Sequence, residues 1–172
     1  MQNYKNKHNV LLDNTAVDST GVADAAADPL STPSSDIDIS RPIAMAANYE
    51  MSVKEAKIEP KKDDASRSNI VLKMVNVKEA RSTKGQVIEP GHLVLTKYLP
   101  TQATDKMSIT AVGQGIAKHI RGLGLPASLS PRDAINNPSV FAGKTGLFKV
   151  KIKKETAEYT EGNELGDPII EG

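Results

Sequence analysis

The chain of 172 residues has no cysteine and no tryptophan, only two phenylalanines and only four tyrosines. Without cysteine there is no disulfide and no thiolate-held metal, which suits a reducing compartment. So few rings limit how many bases a nucleic-acid partner could stack on the protein. No apolar run approaches the roughly 20 residues that cross a bilayer. The N-terminus also lacks the apolar region of a signal peptide. The composition leads to the expectation of a soluble, intracellular protein.

Catalytic groupings are missing too. His8, His92 and His119 are scattered, with no spacing that would place two of them on one metal. No serine sits in a G-x-S-x-G elbow, and Asp63–Asp64 reads as a polar turn. The expectation is a protein that is not an enzyme and takes no cofactor. "GKT" at Gly143–Lys144–Thr145 resembles the end of a phosphate-binding loop. The full motif needs a glycine at position 138, where this chain has Pro138, and a helix after the loop. Here Phe148, Val150 and Ile152 alternate with Lys149, Lys151 and Lys153, which is the period of a strand. The loop is expected to be a turn entering a strand, without affinity for ATP or GTP.

What the chain does have is a segregation of charge beneath a net charge of +1. Residues 1–41 carry Lys5, Lys7 and Arg41 against six aspartates. Residues 161–172 carry four acids and no base. The body, 42–160, is left with 19 basic residues against 11 acidic ones. A basic body between acidic ends points to a polyanionic partner, with the ends competing for the same surface.

Residues 1–41, with runs such as "STPSSDIDIS", offer little to bury and read as a disordered acidic arm. From Asn48 the pattern becomes that of strands. Tyr49, Met51 and Val53 alternate, and the phase then slips to Ala56 and Ile58, as a bulged strand would. "KKDDASRS" is a turn. "NIVLKMVNV" is a second strand, with Ile70, Leu72 and Met74 on one face and Val71, Lys73 and Val75 on the other. "RSTKGQ" is a loop, and "HLVLTKYL" is a third strand with Leu93, Leu95 and Leu99 sharing a face. Helical spacing of Ile109, Val112, Ile116 and Ile120 predicts a helix over 105–121. Gly113 and Gly115 inside it suggest close packing against a sheet. Ser130, Pro131 and Asp133 mark a short second helix. A fourth strand follows over 146–154, then an acidic tail over 161–172 with a short last strand at 164–170. Three strands, a helix, then one or two strands is the order of an OB-fold. The fold class expected is mainly β, an OB-like five-stranded barrel over 42–160.

Lysines and tyrosines on the outward faces form the candidate binding site. The fourth strand offers Lys149, Lys151 and Lys153; the second offers Lys73; the first offers Lys54 and Lys57. Tyr98 lies outward on the third strand, Tyr159 lies in the turn after the fourth, and Lys144 precedes that strand. Cations can follow the phosphates of a single strand while rings stack on its unpaired bases. Rows of lysine also blunt a half-exposed strand against edge pairing.

The stretches "YEMSVKEAKIEP", "SNIVLKMVNV", "STKGQ", "GLGLP" and "FAGKTGLFKVKIKKETAEYTEGNEL" together resemble a family of small phage proteins, some of them single-stranded DNA-binding proteins with an OB-like fold. Gly143, Lys144, Val150, Tyr159 and Asn163 match its spaced pattern. The resemblance implies a single-stranded DNA-binding protein of phage replication or recombination, acting in the host cytoplasm. Its partners would be single-stranded DNA, with self-association and phage replication or recombination proteins left open, and no membrane. The alternative is a virion or assembly protein that docks through its arm.

Overall fold

The computed structural model describes residues 29–36 and 40–172. The chain divides between Arg41 and Pro42 into two units. In the first, the described residues form two single 3-10 turns, Pro29–Ser31 and Ser34–Asp36. The expectation of a disordered arm over 1–41 falls mainly outside the described residues.

The second unit is mainly β, with two helices. Its strands are β1 (Ala47–Pro60), β2 (Ser68–Asn76), β3 (Ala80–Arg81), β4 (Val87–Ile88), β5 (Val94–Pro100), β6 (Thr145–Lys153) and β7 (Gly162–Pro168). Helix α1 (Ile109–Gly122) and helix α2 (Pro131–Asn136) lie between β5 and β6. Five strands form one antiparallel sheet in the order β5-β2-β1-β6-β7. β3 and β4 form a separate hairpin around the "STKGQ" segment, where the sequence suggested only a loop.

β1 is the hub. Its second half pairs with β2 and its first half with β6. The register slips between Val53 and Glu55, so the expected bulge falls at Lys54. There the Val53 amide donates to Lys144 O and the Val53 carbonyl accepts from Gly143 N, both at 2.8 Å. The bulge is therefore held by the turn that leads into β6.

Alternation delivers the core. Met51 and Val53 of β1, Ile70, Leu72 and Met74 of β2, Leu95 and Leu99 of β5, Phe148 and Val150 of β6 and Leu165 of β7 are all buried. Helix α1 adds Val112, Ile116 and Ile120. Ile109, expected on the same stripe, is exposed. The helix also begins later than its apolar spacing implied. Thr104 and Met107 close a small turn, and Ser108 then caps the helix by accepting from Ala111 N. α2 starts as the sequence indicated: Ser130 and Asp133 form a reciprocal capping box. The 161–172 stretch is less a tail than a structural edge, since most of it is β7 and Leu165 is in the core.

Each neighbouring pair in the sheet is antiparallel, so the two edge strands β5 and β7 run in the same direction. They approach each other, and Lys97 bridges them. Lys97 lies at an inward position between Leu95 and Leu99. Its Nζ donates to Leu165 O at 3.4 Å and to Asp167 Oδ1 at 3.1 Å. No backbone ladder joins β5 to β7 among the described residues, so the sheet does not close into a barrel. α1 packs against both edges.

The glycines that lock α1 onto the sheet differ from those the sequence suggested. A Cβ on Gly113 or Gly115 would meet nothing. A Cβ on Gly122 would overlap the ring of Pro168, and one on Gly146 would overlap Gly122 O. The close approach is therefore at the end of the helix, where it meets β6 and β7. Gly113→Ala and Gly115→Ala should each stabilise the protein by about 0.5–1 kcal/mol, the usual gain over glycine inside a helix. Gly146→Ala should destabilise it by about 1–3 kcal/mol through overpacking. Urea unfolding of the three variants checks this; a Gly146→Ala variant as stable as the parent would contradict the close approach.

Candidate nucleic-acid interface

All nine candidate residues are exposed, but the structure sorts them into three groups. The first lies on the outer face of β1, β2 and β5. Lys57, Val71 and Tyr98 stand in one cross-strand row, with Glu55, Lys73 and Thr96 in the next. Tyr98 is 57% exposed, while Val71 between two longer side chains is only 7% exposed. The second group, Lys54 and Lys144, meets at the bulge, where Val53 N bonds Lys144 O. The third lies on the β6–β7 hairpin and comprises Lys149, Lys151, Lys153 and Tyr159.

The first and third groups lie well apart on the sheet. Lys149 is opposite Asn48, and Lys73 is opposite Glu55. Those two positions on β1 are about 23 Å apart at roughly 3.3 Å per residue. Lys151 and Lys153 extend still further away. The periodicity placed every lysine outward but could not supply this register.

The groups also differ in electrostatics. On the first face Lys57 Nζ lies 2.7 Å from Glu59 and 3.4 Å from Glu55. Hydrogen bonds to Glu59 and Glu55 and their charges raise the Lys57 pKa above its ordinary value. Its charge is largely spent on its own strand. The signal was present in the sequence, because Glu55, Lys57 and Glu59 are spaced by two. On β6 neither Lys149 nor Lys151 makes an ion pair within 4.0 Å among the described residues, although Glu164 of β7 stands directly opposite Lys151. Lys153 Nζ sits 4.5 Å from the centre of the Tyr159 ring, a cation–π contact. The loop around Tyr159 is held by Thr156, which donates its amide to Tyr159 O and accepts from Tyr159 N.

The residues matched to the phage family's pattern have mainly structural uses here. Gly143 has φ +76° and turns the chain into β6. Its amide is taken by Val53 O and that of Lys144 by Phe141 O. Neither donor is left for a phosphate, as expected for a turn entering a strand. Val150 is in the core. Asn163 clamps Ala44 with both ends of its amide, at 2.7 and 2.8 Å.

A groove of about 780 Å³ opens between the start of β1, β6 and the end of α1. It is lined by Glu50, Glu79 and Glu171 against Lys78 and Arg121, and Glu50 is already paired with Lys78 at 2.8 Å. The carbonyl end of a helix also disfavours anions. This groove is a poor site for a polyanion.

The seam beside α1 holds a further charged group the sequence did not flag. Burial alone would raise Asp167, but the hydrogen bond and charge of Lys97, with His119 and Lys118, hold it below the usual carboxylate value. His119 is buried against Phe148, and its Nδ1–H donates to Gly115 O at 2.8 Å. Its Nε2 has no hydrogen-bond partner among the described residues. Burial pushes its pKa below 6.5, with Lys97 and Lys118 acting the same way and Gly115 O and Asp167 opposing. The folded protein thus binds this proton less readily than the unfolded chain does.

The chain matches no protein-family model and no curated protein. No helix among the described residues is long and apolar enough to cross a membrane.

His119 sets an expected pH dependence. Its contribution to stability is complete above pH 6.5 and is lost as the pH falls below that value, by at most about 1.4 kcal/mol per pH unit. Urea unfolding at pH 7.5 and 5.5 should show this fall in the parent. His119→Leu should remove that part of the fall; an equal fall in both proteins would contradict the assignment.

Proposed function

We propose that this protein is a single-stranded DNA-binding protein of phage replication or recombination, built on an OB-like sheet. The observation that carries the reading is the β6 row. Lys149, Lys151 and Lys153 project outward about 6.6–6.8 Å apart at alternate positions of a strand. Lys149 and Lys151 make no ion pair among the described residues, Lys151 faces Glu164 across the strand pair, and Lys153 lies against an exposed tyrosine ring. That spacing lets successive ammonium groups meet successive phosphates of an extended single strand. The unpaired bases then reach Tyr159, while duplex DNA would hide them.

The topology supports the same reading. Counting only the long strands, the order is third-second-first-fourth-fifth, with the helix between the third and fourth. The outer strands run parallel and lie side by side at a seam bridged by Lys97. This is the strand order of a partly open OB barrel. Binding of this kind coats and protects a strand and needs no reactive group. The host cytoplasm is the compartment where such a protein would act.

The test is the salt dependence of binding to oligo-dT. Three lysine–phosphate contacts contribute about 2 to the slope of log affinity against log salt, at roughly 0.7 each. Lys149→Ala, Lys151→Ala and Lys153→Ala together should flatten the slope by about that amount and leave folding intact, because Phe148, Val150 and Ile152 keep the inward face. A triple variant that binds like the parent at every salt concentration would reduce the row to a solvated edge. An assembly role for the protein would then be the better reading.

A further inference from the structure

At one end of the β2–β5 face a small cavity of about 180 Å³ lies between the β1–β2 turn and the segment that joins β5 to α1. Lys61 and Arg67 come from the turn, where Lys61 N donates to Arg67 O at 2.9 Å and holds the two residues side by side. The cross-strand pair Asn69 and Pro100 lines it too, with Ser68, Gln102, Thr104 and Met107. Arg67 uses its Nε on Asp64 at 3.2 Å. The Lys61 ammonium makes no ion pair within 4.0 Å among the described residues. Hydrogen bonds from Ser66, with the charges of Arg67 and Lys61 adding to them, hold the Asp64 carboxyl below its ordinary value. The site therefore combines two cationic side chains with amide and hydroxyl groups.

Its size decides what part of a ligand it can hold. Pockets that enclose a whole small molecule run to about 300–1,000 Å³. A cavity of 180 Å³ takes a phosphate and little more. The remainder of the ligand must lie outside. The next row on the same face is Val71–Tyr98, one alternation along from Asn69–Pro100. It presents the exposed Tyr98 ring over a buried valine. An arginine fork and a lysine suit a phosphate, and an adjacent free ring suits a planar base.

We propose that the Lys61–Arg67 cavity and Tyr98 together form a nucleotide subsite. The phosphate sits between Lys61, Arg67 and Thr104, and the base stacks on Tyr98. The subsite rests on the single-strand reading and adds to it. It would give the β2–β5 face, where Lys57 is already neutralised, its own hold on a strand separate from the β6 row.

The experiment follows backbone amide shifts of the full-length chain on titration with three probes: thymidine 5′-monophosphate, thymidine and inorganic phosphate. The monophosphate should shift Lys61, Arg67, Thr104 and Tyr98 together. Thymidine should shift Tyr98 alone, and phosphate the cavity alone. Lys61→Ala with Arg67→Ala should weaken the monophosphate at least tenfold while leaving the thymidine shifts at Tyr98. Tyr98→Leu should abolish the thymidine shifts and leave the phosphate response, so that a loss of folding is not mistaken for a loss of the site. Monophosphate shifts that bypass the cavity, or equal affinity in the double variant, overturn the subsite. Oligo-dT distinguishes the two levels. A parent that binds oligo-dT while the double variant binds the monophosphate unchanged refutes the subsite alone. A parent that takes the monophosphate in the cavity but does not bind oligo-dT supports the subsite and refutes the single-strand reading.

Discussion

The arrangement depends on one inward lysine. β5 and β7 are the edges of a curved five-stranded sheet, and an open edge with unpaired amides and carbonyls is a liability. Lys97 reaches from one edge to a carbonyl and a carboxylate on the other. Its side chain is 19% exposed while that of Asp167 is 56% exposed, so the lysine end of the pair is shielded and the carboxylate end meets water. α1 packs against both edges, and Lys118 adds a second, more distant contact to Asp167 at 3.6 Å. A lysine at a core-facing position would be costly without these acceptors. With them it holds the edges together without a backbone ladder.

That bridge helps fix the outer surface. β1 pairs with β6 over Ala47–Ser52 and with β2 over Met51–Pro60, so β2 and β6 present lysine groups toward different ends of it. On β2 and β1 the positive charge is offset by Glu55 and Glu59. The same sheet therefore carries a face where Lys57 is ion-paired beside an exposed tyrosine and a lysine row beside another. A single strand could be held by phosphate contacts on the row and by ring contacts on the face, provided it bends around the sheet between them.

Much of the fold was legible in the sequence because alternation and capping are local. The bulge in β1, the inward set of β2, the capping box of α2 and the turn at Gly143 all follow from residues a few positions apart. What was not legible depends on long-range register. Gly113 and Gly115 suggested close packing by their place in a helix, yet the contact is made by Gly122 and Gly146, which come together only after the helix docks. Lys97 was passed over because no local pattern names its acceptors, which lie about 70 residues further along the chain. The lysines were all outward, as their period required. Their division into groups came from pairing along β1, which alternation alone does not fix.

The most direct measurement is photochemical cross-linking of oligo-dT to the full-length chain, followed by mapping of the modified peptides. The account predicts cross-links at Tyr98 and in the β6–β7 loop at Tyr159, both reduced by excess unlabelled oligo-dT and neither formed with duplex DNA. Cross-links confined to the groove beside the end of α1, or none at all, would contradict it.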